Sequence, residues 1–157
     1  MQVKLRAAWL ALALLLLPGV AAAQERPWPV LERMGIAGTW APSCAAGPSK
    51  TNTFATYYTE NQGLVRCKVN HGPEGSDLNT TVDAAKQLSD TRLSMRWRVD
   101  DPRWGRQNGN VFTIVMDIIN GRTRTMASTN STGRVLIKDG VILASGQPTP
   151  LNERCGN

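Results

Sequence analysis

The stretch from residue 96 to residue 106 carries side chains suited to bind an anion. Its arginines and tryptophans are Arg96, Trp97, Arg98, Arg103, Trp104 and Arg106. Guanidinium groups beside indole rings bind anionic sugars, lipid headgroups or single-stranded nucleic acid by charge and stacking. We predict that all of these residues except Trp97 bind a ligand. Trp97 falls on an apolar face and is expected in the core, which leaves Trp104 as the exposed ring.

Residues that usually carry catalysis are few. The one histidine, His71, lies in an Asn-His-Gly-Pro loop, and the chain has no Gly-x-Ser-x-Gly motif. A hydrolase would have to use His71; a solvated loop histidine is the alternative. One histidine and scattered cysteines give no zinc cluster. Asp100 and Asp101 should point apart and cap a turn. We therefore predict no catalytic residue, metal site or cofactor.

The first 23 residues have the features of a signal peptide. Lys4 and Arg6 precede an apolar run that ends at a proline, and three alanines at 21–23 form a small-residue cleavage site. We expect a mature chain from Gln24 that is periplasmic or secreted, without a lipid anchor or a transmembrane segment. Export makes nucleic acid an unexpected partner.

The charge of the chain favours anionic partners. The net charge is +6, and +4 remains once the two basic residues of the signal are removed. Arginine outnumbers lysine, and its guanidinium can form two parallel hydrogen bonds to a carboxylate or phosphate. A lipid headgroup, a polysaccharide or an acidic protein would fit, and a soluble protein with a modest charge is the plain alternative.

Three cysteines in an exported chain suggest one disulfide and one free thiol. Cys67 alternates with two valines on one face of a strand, opposite Arg66 and Lys68, so it is expected in the core. We therefore predict a Cys44–Cys155 disulfide. A reactive or dimer-forming Cys67 is the alternative.

Short alternating segments separated by turn residues predict an all-β fold. The clearest is a hairpin in which Asn120-Gly121 joins two strands, because a type I′ turn needs positive φ at both central residues. That turn places Asp117 opposite Arg124, as an exposed ion pair. It also places Ile114 opposite Ala127. Asp139-Gly140 repeats the device.

The domain organisation follows from these elements. We predict a signal at 1–23, a leader with a short helical turn at 24–35, and a single β-barrel domain at 36–157. About eight antiparallel strands in an up-and-down meander should close into a small barrel, which the disulfide would staple. A two-layer β-sandwich is the alternative.

The first strand adds a resemblance. Gly38-Thr39-Trp40 resembles the opening Gly-x-Trp of the lipocalins, and the segment from Ile36 is similar to the start of avidin-type barrels. This implies a barrel in which Gly38 and Trp40 are structural. The lipocalin Thr-Asp-Tyr motif is absent, and Ala41-Pro42 stands where avidin-type barrels carry a polar biotin ligand. The whole pattern also resembles small exported bacterial proteins.

Two functions are expected from this architecture. The first is a non-enzymatic, exported, lipocalin-like protein that binds a small apolar or amphipathic ligand in the barrel mouth, with loop arginines favouring an anionic end. The alternative is an envelope interaction module with a filled core, which binds an anionic partner through the loop that contains Trp104.

Overall fold

The structure, a computed structural model, describes residues 25–156, so that the predicted signal, its cleavage site and Gln24 lie outside the described residues. Short 3-10 helices span Asn61–Gly63 and Pro102–Gln107. The other elements are α1 Pro27–Arg33, β1 Gly38–Ala41, β2 Phe54–Thr59, β3 Val65–Asn70, β4 Leu78–Ser89, β5 Arg92–Val99, β6 Val111–Ile119, β7 Arg122–Asn130, β8 Val135–Lys138, β9 Val141–Ile142 and β10 Leu151–Cys155.

Eight of the strands form a closed antiparallel barrel. β1 to β7 pair in chain order, β10 pairs with β1, and β7 pairs back with β10. The predicted all-β barrel is therefore confirmed, and the alternative sandwich is wrong because the β7–β10 pairing joins the two ends of the sheet. β8 and β9 form a hairpin outside the ring, attached to the second half of β7.

Helix α1 covers one end of the barrel. The helix begins at Pro27, whose fixed φ suits the first helical turn. It ends because Gly35 adopts a φ of +70°. Gly35 N–H then donates to the carbonyl of Glu32 and Ile36 N–H to that of Leu31, which is a Schellman motif. Leu31 and Ile36 are fully buried, so the cap also seats two side chains in the core.

The barrel interior next to α1 is filled by side chains. Trp40 is 5% exposed, and its indole N–H donates to the carbonyl of Ile36 at 2.8 Å. Thirteen buried residues form one apolar cluster: Val30, Leu31, Met34, Ile36, Trp40, Tyr57, Val65, Cys67, Val82, Ala85, Leu93, Met95 and Met116. No helix among the described residues has the length and apolar character needed to cross a membrane.

The β6–β7 hairpin confirms the predicted register near its turn and departs from it farther on. Asn120 and Gly121 have φ of 51° and 74°, and Asp117 lies opposite Arg124. A β-bulge beyond Met116 then shifts the pairing by one residue, so that Ile114 faces Ser128 and not the predicted Ala127.

The predicted Asp117–Arg124 ion pair does not form. Asp117 instead accepts two hydrogen bonds from Arg92 on β5, the neighbouring strand on its other side. Arg124 donates to Thr149 and to the carbonyl of Gly140. Arg124 therefore connects β7 to the segment before β10. Pairing β6 with β7 alone could not predict this contact, because its partners lie outside the hairpin.

The Cys44–Cys155 disulfide joins β10 to the chain just after β1. The bond forms as predicted, with the two Cα atoms 5.3 Å apart and a sequence separation of 111. It therefore encloses β2 to β10 in one covalent loop. A loop of this length removes much of the conformational entropy of the unfolded chain.

We expect the Cys44→Ser and Cys155→Ser double variant to lose about 3–5 kcal/mol in free energy of unfolding, because the unfolded chain regains that entropy. Urea unfolding of the oxidised protein and the variant measures the difference. Either single variant should match the double variant. Equal unfolding midpoints for oxidised and reduced wild-type protein would contradict the expectation.

Candidate functional site

The two ends of the barrel differ in how they are covered. The closed end carries α1 and the tight turns such as Asn120-Gly121. The opposite end, here called the open end, carries the three longest loops between ring strands β1 to β7, at 42–53, 71–77 and 100–110. Because β1 to β7 run up and down, these three loops meet at the same end.

Four inward-facing apolar side chains at the open end are only partly buried. They come from two pairs of adjacent strands, Ala55 with Val69 and Trp97 with Phe112, and together they are called the mouth. One inward position deeper on the same strands, the side chains are buried: Tyr57, Cys67, Met95 and Ile114 are 2%, 0%, 1% and 8% exposed. The interior is therefore filled toward α1. At the level of the mouth, Val82 opposite Trp97 is also buried, as is Val99 nearer the open end, so only part of the outermost layer is accessible.

Trp97 and Tyr57 form the floor of the mouth. Their ring centroids lie 5.9 Å apart and the ring planes are inclined by 60°, so the two rings touch across the barrel. The indole N–H of Trp97 is buried and has no hydrogen-bond partner among residues 25–156. Leaving such a donor unpaired costs about 1–3 kcal/mol.

The rim of the open end is organised by a buried carboxylate. Asp101 is 3% exposed and accepts hydrogen bonds from the backbone N–H and the guanidinium of Arg103, and from Asn79. Asp101 thus caps the 3-10 helix, as predicted for a turn. The bonds from Arg103 are the main cause that holds the pKa of the Asp101 carboxyl well below its ordinary value.

Asp100 points to the outside of the barrel, away from Asp101. Its carboxylate pairs with Arg66 and accepts a hydrogen bond from Thr81. The hydrogen bond from Arg66 is the largest cause that lowers the pKa of Asp100. The two adjacent carboxylates therefore point apart, as the sequence predicted, and they do not form an acid–base pair.

The structure divides the predicted ligand-binding arginines between two places. Arg96 and Arg98 lie on the outer wall of β5, where Arg98 makes two hydrogen bonds to Asp83. Arg103 and Arg106 lie on the 3-10 helix at the open end, together with Trp104. Trp104 is half-buried, and its indole N–H donates to the carbonyl of Asp77 at 3.1 Å.

His71 sits beside the Trp104 ring. The two ring centroids are 6.4 Å apart, and Nδ1 of His71 lies 2.9 Å from the carbonyl oxygen of Ser76. The histidine therefore fastens its own loop. Within residues 25–156, no three or more His, Cys, Asp or Glu side chains are grouped in a way that could hold a metal ion.

Comparison of the chain with protein-family models, with curated proteins and with solved structures finds no match in any of the three. The geometry of the open end therefore carries the functional argument.

Sequence reasoning missed two parts of this end. The unpaired N–H of Trp97 depends on what surrounds the ring across the barrel, and no local pattern encodes that. Residues of the 71–77 loop form one side of a cleft against Arg103. The only sequence signal for this cleft was the cluster of Gly, Pro and Asn that marked 70–76 as a loop.

The rim should lose stability in acid. Because the folded-state pKa of Asp101 is depressed, its stabilising contribution is present above the pKa of an unfolded aspartate, about 4, and is lost as the pH falls below that value. We expect Asp101→Asn to weaken the fall in unfolding midpoint between about pH 5 and pH 2.5. Asp90→Asn, an exposed turn variant, is the matched control, and equal acid profiles for all three proteins would contradict the assignment.

The free thiol of Cys67 should be inert in the folded protein. Burial raises its pKa to about 12, which the hydroxyls of Tyr57 and Thr80 oppose only in part. We expect no reaction with a thiol reagent at about pH 8 until the protein unfolds, because the reactive thiolate is scarce and covered. Rapid labelling of native protein would instead support the reactive Cys67.

Proposed function

We propose that this protein is a non-enzymatic binding protein, acting outside the cytoplasm, that holds a small amphipathic molecule in the mouth of its barrel. The observation that carries the proposal is the contrast in burial between the mouth and the layer beneath it. Trp97 and Phe112 stay partly exposed, whereas Met95 and Ile114 on the same strands are buried. Partly exposed aromatic side chains inside a barrel rim provide apolar surface that a small ligand can cover.

The filled interior sets the size of the ligand. Tyr57 and Trp97 meet across the barrel and close its interior at the floor of the mouth. A long acyl chain could not be enclosed lengthwise without displacing both rings. A single ring or a short chain that lies on the Trp97 and Phe112 rings fits this depth.

The mouth favours a ligand with a hydrogen-bond acceptor. The N–H of Trp97 has no partner among residues 25–156, and a turn of its ring would let a carbonyl or carboxylate in the mouth accept from it. Such a bond would recover the free energy that the unpaired donor costs. Arg106 on the rim is exposed and has no ion pair among the described residues, which favours an anionic end.

Two further observations support action outside the cytoplasm. The disulfide between Cys44 and Cys155 is typical of proteins in oxidising compartments. The features of residues 1–23 are those of a secretory signal.

Titration with the fluorescent probe 1-anilinonaphthalene-8-sulfonate, a small amphipathic anion, tests the mouth. We expect saturable binding to the wild-type protein. Ala55→Leu adds bulk inside the mouth and should weaken binding about tenfold or more, which corresponds to about 1.4 kcal/mol.

Thr113→Leu is the matched control, because Thr113 is exposed on the outer face of β6, next to Phe112 in sequence. It should leave probe affinity unchanged. Equal loss of binding in both variants, or none in Ala55→Leu, would reject the mouth as the site. Native mass spectrometry of protein purified from its own host would then identify any molecule that co-purifies.

A further inference from the structure

A polar cleft lies on the rim of the open end, outside the mouth. Its volume is about 550 Å³, and it runs between the 71–77 loop and the 3-10 helix that contains Arg103. The lining residues are Pro48, Asn70, Gly72, Pro73, Gly75, Ser76, Asp77 and Arg103. A smaller cavity of about 350 Å³ continues from Ser76 and Arg103 to the Trp104 ring, and another of about 380 Å³ continues from Pro48 and Pro73 to His71.

The walls of the cleft are fixed by bonds between loops. The carbonyl of Asp77 accepts from the indole N–H of Trp104 at 3.1 Å and from the guanidinium of Arg103 at 3.2 Å. The Asp77 carboxylate pairs with Lys68 at 2.9 Å. At Gly72 an added Cβ would clash with the carbonyl oxygen of Pro48, so only glycine permits this close approach. A cleft that is already shaped loses little conformational entropy on binding.

Arg103 is held in place with part of its guanidinium unused. Asp101 accepts from its Nε and Nη2, whereas its Nη1 makes no hydrogen bond to any of residues 25–156. The Arg103 side chain is 59% exposed, although Asp101 is 3% exposed. The buried carboxylate therefore positions an exposed donor at the edge of the cleft.

Donors and acceptors are balanced along the cleft. Arg103 donates, the Asp77 carboxylate accepts, and Asn70 and Ser76 can do both. The charges of the lining side chains are also balanced, because Arg103 is paired with Asp101 and Asp77 with Lys68, and Lys50 accompanies Glu74 in the cavity beside the cleft. A lining with both donors and acceptors and no net charge suits a ligand whose polar groups, such as hydroxyls, can each donate and accept a hydrogen bond.

The cleft also borders flat apolar groups. Pro48 and Pro73 line it directly, and the partly exposed Trp104 ring lines the cavity that continues from Ser76 and Arg103. A sugar ring combines hydroxyl groups around its edge with C–H groups on its faces. Hydroxyls would pair with the polar lining, and the C–H face would cover the indole or a proline.

We propose that this cleft is a saccharide-binding site, separate from the mouth. A saccharide there would extend into the adjoining cavity, where Trp104 packs on the face of a sugar ring, while Arg103 donates to a ring substituent and Asp77 accepts from a hydroxyl. The cleft shares none of its lining residues with the mouth, so either proposal can fail while the other stands.

Titration of the mature protein with chitotriose and with trigalacturonate, followed by amide and indole NMR shifts, tests the site. We expect saturable binding of at least one trisaccharide, with shifts at the Trp104 indole and at residues 70–77. Binding of chitotriose assigns the hydroxyl contacts, and binding of trigalacturonate alone assigns the Arg103 contact to a carboxylate. Saturable binding of neither would overturn the proposal.

Single variants separate the contributions of the Trp104 ring, the Arg103 guanidinium and the local positive charge. Trp104→Ala and Arg103→Lys should each weaken trisaccharide binding about tenfold or more. Trp104→Phe keeps a ring while losing the N–H, so it should bind better than Trp104→Ala and shows whether the loss is due to the ring. Arg106→Gln removes a positive charge, which Arg103→Lys keeps, from the same helix and outside the cleft lining, and it should bind like wild type. An equal loss in Arg106→Gln and Arg103→Lys would overturn the proposal.

The mouth variant completes the test. Ala55→Leu should lose the fluorescent probe and keep the trisaccharide, whereas Trp104→Ala should do the opposite. Loss of the trisaccharide in Ala55→Leu, with an unchanged melting temperature, would place the sugar in the mouth and overturn the cleft assignment.

Discussion

Closure of the barrel depends on β10. This strand meets β1 at three residue pairs and β7 at two, which is a small number for the seam of an eight-stranded ring. The other strand pairs of the ring are continuous hairpins, whose turns hold their strands together locally. β10 is far in sequence from β1, so its pairing must offset the entropy of closing a long loop. The Cys44–Cys155 bond supplies that closure covalently.

A closed ring explains why the two ends of the molecule differ. α1 is fixed by its Schellman cap and places Leu31 and Ile36 under the ring. With the ring closed and one end filled from below, little of the interior remains for a ligand. Binding chemistry is thereby confined to the loops and the outermost layer of side chains at the open end. Both proposed sites follow from this confinement.

Sequence reasoning succeeded where the determining interactions are local or few. Asn120-Gly121 specifies its own turn, and three cysteines with Cys67 on an apolar face leave one pairing. It failed where one strand interacts with two neighbours. The bulge that moves Ile114 opposite Ser128 has no signature in either strand. Asp117 on β6 pairs with Arg92 and not with Arg124, because β6 lies between β5 and β7 and Arg92 on β5 is also within reach.

The candidate sites were less accessible from sequence than the fold. The stretch around Trp104 was selected for its arginines, yet Arg98 is committed to Asp83 and Arg103 is shared with Asp101. The cleft requires loops 42–53, 71–77 and 100–110 to meet, and that follows only from the order of strands in the ring. The unpaired N–H of Trp97 requires knowledge of every atom around one ring nitrogen.

β7 divides its length between two partners. Its first residues, Thr123 and Arg124, pair with β10, but Ser128 and Thr129 pair with β8 of the external hairpin. Backbone pairing with β10 therefore closes the ring only toward α1, and the β8–β9 hairpin takes the place of β10 beside β7 toward the open end. Where that pairing stops, the Thr149 hydroxyl donates to the carbonyl of Thr125 at 2.7 Å, so a side chain continues the closure of the ring.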